Sequence, residues 1–165
     1  MKYIDKRERC INMMKFVAVG NRFMKDDGIG IIVTEELRDR LTDLKLDIII
    51  GETDCQSSFY LLNEDDFVII LDAFCIGSEP GSVHILSIHD ALLQSSGSFM
   101  QHDMSMIELM KLHNCKFKGY IIGIEAADIG FGDELSLVLK EKFTQICSKI
   151  ESTIKTILSE VSDHA

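Results

Sequence analysis

Short apolar runs alternate with amphipathic segments along this sequence, and this order predicts an α/β fold. Such alternation favours a mostly parallel sheet with helices on both faces. The apolar runs are largely uninterrupted by polar residues, which is typical of strands that are buried on both sides. The length of 165 residues corresponds to about one domain.

The first half of the chain supplies three predicted strands and two predicted helices. Residues 15–20 (KFVAVG) are a short apolar run that ends in glycine, which indicates a buried strand. A helix is predicted over residues 28–43, and its apolar stripe repeats every four residues, at Ile29, Val33, Leu37 and Leu41. Further strands are predicted at 46–50 (LDIII) and 67–73 (FVIILDA), with a short helix over 57–63 between them.

The second half continues the alternation and brings the sheet to about five strands. The Pro80–Gly81 pair indicates a turn, and residues 82–88 (SVHILSI) alternate in polarity as an exposed strand does. A helix is predicted over 101–113, followed by a buried strand at 118–124 (KGYIIGI). The last helix is predicted to begin near Asp133, since acidic residues favour a helix N-terminus.

Residues 1–14 are interpreted as a flexible N-terminal tail, and residues 15–165 as a single α/β domain. The mixed charges of the tail follow no period, and a second pair of start-like methionines, Met13–Met14, precedes the first strand. The tail also lacks the apolar core of a signal peptide.

The composition of the chain limits its expected partners. Asp and Glu number 27 against 17 Lys and Arg, which gives a net charge of −10. This charge repels phosphate backbones and anionic lipids, so neither nucleic acid nor a membrane is an expected partner. No apolar run reaches the ~18 residues that a membrane span needs. The five cysteines contain no C-x-x-C pair, and we therefore expect a cytoplasmic protein with free thiols.

Polar residues follow the predicted strands at the points where the strands end. They are Asn21, Asp26 and Asp27 after the first strand, Glu52, Thr53 and Asp54 after the second, Asp72 in the third, and His102 at the start of the 101–113 helix. Right-handed crossovers place these segments at one edge of a parallel sheet, where open α/β sheets bind ligands. Two carboxylates and an imidazole form a mixed oxygen and nitrogen site with open positions, which suits nickel, zinc or manganese.

Each of these residues also has a structural interpretation. Asp26 or Asp27 is a favoured N-cap for the first helix, Asp72 can cap a turn, and His102 can be a surface histidine. Motifs of other enzyme classes fail, because Phe23 stands where G-x-G-x-x-G needs its third glycine and the first loop lacks Gly-Lys-Ser/Thr. Neither Gly-x-Ser-x-Gly nor His-Glu-x-x-His occurs.

At these residues the chain resembles the endopeptidases that mature nickel–iron hydrogenases. Their opening motif is close to G-x-G-N-x-x-x-x-D-[DE]-G-x-G, and residues 18–30 here read AVGNRFMKDDGIG. Further blocks follow in the family's order: VIILDA at 68–73, Pro-Gly at 80–81, HDMS at 102–105, Gly-Ile-Glu at 123–125 and Leu-Ser at 135–136.

The resemblance implies a three-layer, phosphorylase/hydrolase-like α/β/α sandwich around a twisted sheet. It implies an endopeptidase that removes a C-terminal extension from the precursor of a hydrogenase large subunit after nickel insertion. The family's catalytic and metal-contacting positions fall on Asp27, Asp72 and His102. Nickel is then carried by the substrate and sensed by these residues, with no permanent metal required in the enzyme, and a monomer is expected.

Three residues depart from the family pattern. Ala18 replaces the first glycine of the opening motif, Glu52 replaces the second glycine of a Gly-Gly-Thr segment, and Ala126 replaces a proline. These departures leave open a non-catalytic nickel-sensing protein, an assembly checkpoint on the same fold. A third interpretation is a nucleotide-binding α/β module, although the acidic first loop disfavours phosphate.

Overall fold

In the computed structural model, which describes residues 14–94 and 105–163, five strands form one sheet. They are β1 (Met14–Val19), β2 (Asp47–Glu52), β3 (Phe67–Phe74), β4 (Val83–Ser87) and β5 (Lys118–Glu125). The order across the sheet is β2-β1-β3-β5-β4. Four strands run parallel, and β4 pairs antiparallel with β5 at the edge. The predicted α/β class and the mostly parallel five-stranded sheet are confirmed.

Helices cover both faces of this sheet. In chain order they are α1 (Ile29–Glu36), α2 (Arg38–Asp43), α3 (Cys55–Tyr60), α4 (Ile88–Leu93), α5 (Met106–Leu112) and α6 (Leu137–Asp163), and a 3-10 turn, Lys25–Gly28, precedes α1. One apolar core lies between the sheet and α1, α2 and α6, and a second lies against α3, α4 and α5. The architecture is therefore a three-layer sandwich.

Alternate side chains of strand β3 point to opposite faces of the sheet, so the strand contributes to both apolar cores. Ile69 and Leu71 belong to the first core, whereas Val68 and Ile70 belong to the second. All four side chains are fully buried. The uninterrupted apolar run in the sequence thus reflects a strand that is covered on both faces.

Several element boundaries differ from the sequence prediction. β1 begins at Met14, one residue inside the predicted tail, and the rest of that tail lies outside the described residues. The predicted helix over 28–43 is divided at Leu37, whose φ of −92° and ψ of 3° leave the helical region, although Leu37 stays in the core.

The largest differences between the predicted and the observed helices lie in the second half of the chain. Helix α4 was missed because it is only six residues long and directly follows β4, where its apolar residues continue the pattern of the strand. Helix α5 begins at Met106, where Ser105 and Glu108 form a capping box, and the predicted start at residue 101 lies outside the described residues. Helix α6 begins at Leu137 and not near Asp133, and the hydroxyl of Ser136 accepts a hydrogen bond from Leu139 N at 3.3 Å.

We predict that Ile70→Ala lowers the free energy of unfolding by about 2–5 kcal/mol, because it leaves a cavity in the second core. Ile85→Ala is the matched control, since Ile85 is 51% exposed on the edge strand β4. That control is expected to cost about 1 kcal/mol or less. Urea denaturation measures both values, and equal losses would contradict the assignment of Ile70 to a closely packed core.

Candidate functional site

The loop after β1 holds Asp27 in a position that depends on Gly20. The φ of Gly20 is +143°, and a Cβ atom there would lie 2.1 Å from the carbonyl oxygen of Asp27, so only glycine fits. The chain then turns, and the backbone N–H of Asn21 donates to Oδ2 of Asp27 at 2.9 Å. Asp27 is 8% exposed. The glycine of the motif therefore brings the 3-10 turn with Asp27 against the end of β1.

Asp72 lies near the carboxyl end of β3, in the centre of the sheet. It is 1% exposed, and its Oδ1 accepts a hydrogen bond from the backbone N–H of Ala73 at 2.7 Å. It pairs in register with Gly123 of β5. By the period of two, Asp72 shares the face of β3 that carries Ile70, which is the face covered by α3, α4 and α5.

The pKa values of two cysteine thiols are raised in the neighbourhood of Asp27 and Asp72. The pKa of Cys55 is raised to about 11 by its burial first, and then by the negative charges of Asp72, Asp54 and Asp27. The pKa of Cys75 is raised by burial and then by Glu125, Asp27 and Asp72. The geometry follows from the strands, because β1 and β3 pair in parallel with Ala18 opposite Leu71 and the turn with Asp27 comes directly after β1. Asp27 and Asp72 therefore lie at the same edge of the sheet.

Asp26, the neighbour of Asp27 in sequence, has a different environment. It is fully buried, and its Oδ2 accepts hydrogen bonds from the backbone N–H groups of Ala127 and Asp128, both at 2.9 Å. Its Oδ1 accepts from Ser136 N at 2.7 Å. Neither Asp26 nor Asp27 caps α1, whose N-cap is Gly28 without a side-chain hydrogen bond. Asp26 thus fastens the segment after β5 to the turn that carries Asp27.

Glu125 fastens a second loop at the same edge, although it is not among the residues that the sequence predicts there. It is 2% exposed and accepts hydrogen bonds from the backbone N–H groups of Ile76, Gly77 and Ser78 at 2.8–3.2 Å. These residues form the loop after β3. The signal was present in the sequence, because Glu125 is an acidic residue at the end of a buried strand.

The remaining predicted edge residues differ in their environments, and one of them lies outside the described residues. Asn21 accepts a hydrogen bond from Phe23 N at 2.9 Å and shapes the first loop. Asp54 is the N-cap of α3, accepting from Ser57 N at 2.8 Å. Thr53 is exposed after β2. His102 lies outside the described residues, so its predicted place at this edge stays a prediction.

The departures from the family pattern have local explanations. Glu52 adopts a φ of +47°, which explains why a glycine suits this position, and its carboxylate pairs with Arg22 at 3.0 Å. Ala18 is fully buried within β1, so the strand accommodates its Cβ. The N–H of Ala126 donates to Phe74 O at 2.8 Å, a bond that a proline does not make.

Within residues 14–94 and 105–163, no group of three or more His, Cys, Asp and Glu side chains is arranged to hold a metal ion. The described edge supplies two carboxylates of the predicted set, Asp27 and Asp72. Oxygen donors of this kind fit a divalent metal ion only as part of a larger ligand set.

Comparison with known proteins identifies the family. Residues 31–160 match the family model described as hydrogenase maturation protease. The chain belongs to the hydrogenase maturation protease family. The protein is therefore a peptidase, and Asp72 and Glu125 lie within the matched region, whereas Asp27 precedes it.

Solved structures of this family share the fold. The [NiFe] hydrogenase maturation protease HybD from Thermococcus kodakarensis is 26% identical, with a TM-score of 0.64 over 86% of this chain and 99% of its own. HybD from E. coli is 18% identical, with a TM-score of 0.70 over 87% and 93%. The maturation protease HycI from Thermococcus kodakarensis is 21% identical, with a TM-score of 0.68 over 87% and 93%. No curated protein sequence matches the chain.

Two further expectations concern membranes and cysteines. No helix of the described part of this maturation protease is long and apolar enough to cross a bilayer. Cys55, Cys75, Cys115 and Cys147 are free thiols, as predicted, and Cys10 lies outside the described residues.

We predict that Asp26→Ala lowers the free energy of unfolding by about 2–4 kcal/mol, because three backbone N–H groups lose a charged acceptor. Asp133→Ala is the matched control, since Asp133 is exposed in the segment that Asp26 fastens. The control is expected to change stability by about 0.5 kcal/mol or less. Urea denaturation gives both values, and limited proteolysis should show faster cleavage within residues 126–136 only in Asp26→Ala.

Proposed function

We propose that this maturation protease removes a C-terminal extension from the precursor of a [NiFe] hydrogenase large subunit after nickel has been inserted. The proposal is supported by the family match and by the similarity to HybD of Thermococcus kodakarensis, which is described as a [NiFe] hydrogenase maturation protease. The observation that carries it is the position of two buried carboxylates, Asp27 and Asp72, at the carboxyl ends of the neighbouring parallel strands β1 and β3.

In this proposal Asp27, Asp72 and His102 contact the nickel that the precursor carries. Carboxylates and imidazole are suitable donors for nickel, and a partial ligand set suits a metal that arrives with its substrate. Nickel held there would supply a Lewis acid that could position the scissile peptide and polarise its carbonyl or activate a water. Asp26 has no such role, because both of its oxygens are engaged by backbone N–H groups.

The fold supports this role through the fixed backbone beneath each carboxylate. Asp72 is part of a strand that is paired on both sides, and Asp27 is held by the glycine contact at Gly20 and the hydrogen bond from Asn21 N. Neither side chain depends on a flexible loop for its position. Such preorganisation keeps the ligand geometry ready before the substrate arrives.

We expect Asp72→Asn to reduce kcat/KM for the nickel-loaded precursor by about a hundredfold or more, because a neutral amide replaces an anionic ligand. Asp54→Asn is the control, since Asp54 lies after β2 and caps α3, and asparagine is an equally favoured N-cap. Appearance of the shortened large subunit on a gel measures both variants.

Full processing by Asp72→Asn would refute the proposed role of this carboxylate. If the wild-type protein instead forms a stable complex with the precursor but releases no extension, the protein is a nickel-sensing binder and not a processing enzyme. Thermal unfolding of each variant excludes loss of the fold as the cause.

Removal of nickel provides a second prediction. Enzyme dialysed against a chelator should process nickel-loaded precursor at the wild-type rate, because the metal belongs to the substrate. The same enzyme should leave nickel-free precursor uncut. Dependence on metal added to the enzyme, with nickel already present in the precursor, would contradict this proposal and indicate a resident metal.

A further inference from the structure

Two phenylalanines are exposed to solvent on the loops beside the carboxylate edge. Phe23 is 72% exposed in the loop after β1, and Phe131 is 89% exposed in the segment after β5. Phe131 is the most exposed of the large apolar side chains in the described part of the chain. Exposed aromatic side chains that lie close together mark interaction sites on protein surfaces.

Backbone hydrogen bonds join the two loops into one surface. Gly132 N donates to Phe23 O at 3.0 Å, and Lys25 N donates to Gly132 O at 2.9 Å. An ion pair between Lys25 and Asp128 adds a side-chain contact between the same loops. We call this region, residues 23–25 and 128–132, the paired-loop surface.

The paired-loop surface is built on the same turn that carries Asp27. Asp27 N donates to Met24 O at 3.0 Å, so the residue after Phe23 is bonded directly to the candidate ligand residue. Asp26 fastens the opposite loop through Ala127 and Asp128. The two phenyl rings are therefore attached to an ordered backbone, and their exposure does not result from a loosely held loop.

The size of this surface indicates which kind of partner it fits. A buried phenylalanine contributes about 150–250 Å², so two rings provide at most about 500 Å². A stable interface needs about 800 Å² from each partner, which is more than two rings supply to a second copy of this chain. A substrate that is also held at the neighbouring carboxylates needs only such a modest apolar contact.

We propose that Phe23 and Phe131 bind apolar side chains of the hydrogenase large-subunit precursor, next to the bond that is cut. This inference rests on the proposed function and adds a determinant of substrate binding that is separate from the metal ligands. The carboxylates recognise the metal, whereas the paired-loop surface recognises the polypeptide around it. Burial of the rings occurs equally in the ground state and the transition state, so the contact affects KM and not kcat.

The experiment compares Phe23→Ser and Phe131→Ser with wild-type enzyme on the nickel-loaded precursor. Each substitution should raise KM about tenfold and leave kcat within about twofold, because an aromatic anchor is lost from the bound complex. Leu112→Ser is the matched control, since Leu112 is 71% exposed on α5. Its KM should equal that of the wild type. Thermal unfolding should be unchanged in all three variants, because each side chain is mostly exposed in the free enzyme.

A binding measurement separates this inference from the proposed function. Fluorescence anisotropy with labelled precursor gives Kd in an Asp72→Asn background, with and without Phe131→Ser. We expect Kd to rise about tenfold with the second substitution, and Phe131→Leu should restore most of the affinity.

The possible outcomes distinguish a role of the phenylalanines in substrate binding from other roles. Unchanged KM and Kd in both phenylalanine variants, or an equal rise in Leu112→Ser, would overturn the inference. A lower kcat with unchanged KM would also overturn it, because the residues would then position Asp27 and not bind substrate. If the wild-type enzyme binds precursor through the phenylalanines but does not cut it, the proposed function fails and this inference stands.

Discussion

The carboxylate of Asp26 makes the contacts on which the rest of the site depends. It lies fully buried and accepts hydrogen bonds from three backbone N–H groups of the segment after β5. This interaction joins the loop after the first strand to the segment that leads into the long helix α6. Without it, the turn that carries Asp27 would lose its support on one side, and a buried charge would be left without partners.

Glu125 holds the neighbouring loop through the same kind of hydrogen bonds. Its carboxylate accepts from three successive backbone N–H groups after β3, so the loop is ordered without regular secondary structure. The edge of the sheet thus contains two carboxylates that organise loops, Asp26 and Glu125, and two that we assign to the substrate metal, Asp27 and Asp72. Backbone N–H groups offset the cost of placing this much negative charge at one edge.

These two kinds of carboxylate have different structural settings in the candidate site. The carboxylates that we propose contact the metal lie on the sheet and on the turn beside it, where the backbone is fixed. The phenylalanines that we propose bind the polypeptide lie on loops, which Asp26 and Glu125 hold in place. In the proposed function, such a protease recognises both the metal that the precursor carries and the polypeptide around it.

The sequence by itself determined the fold class, the strand positions and the residue types that collect at the carboxyl edge. These follow from local information, because apolar runs identify buried strands and parallel topology brings their ends together. The opening motif also fixed Gly20, whose conformation and contact with Asp27 admit no side chain.

Only the tertiary structure showed that Asp26 and Asp27 have different environments, since adjacent aspartates differ in the partners that distant segments bring to them. The N–H groups that bind Asp26 lie more than 100 residues away. The same long-range pairing placed Phe23 beside Phe131, two loop residues that no local pattern relates. The short helix α4 likewise depended on packing against the sheet, which the apolar pattern does not encode.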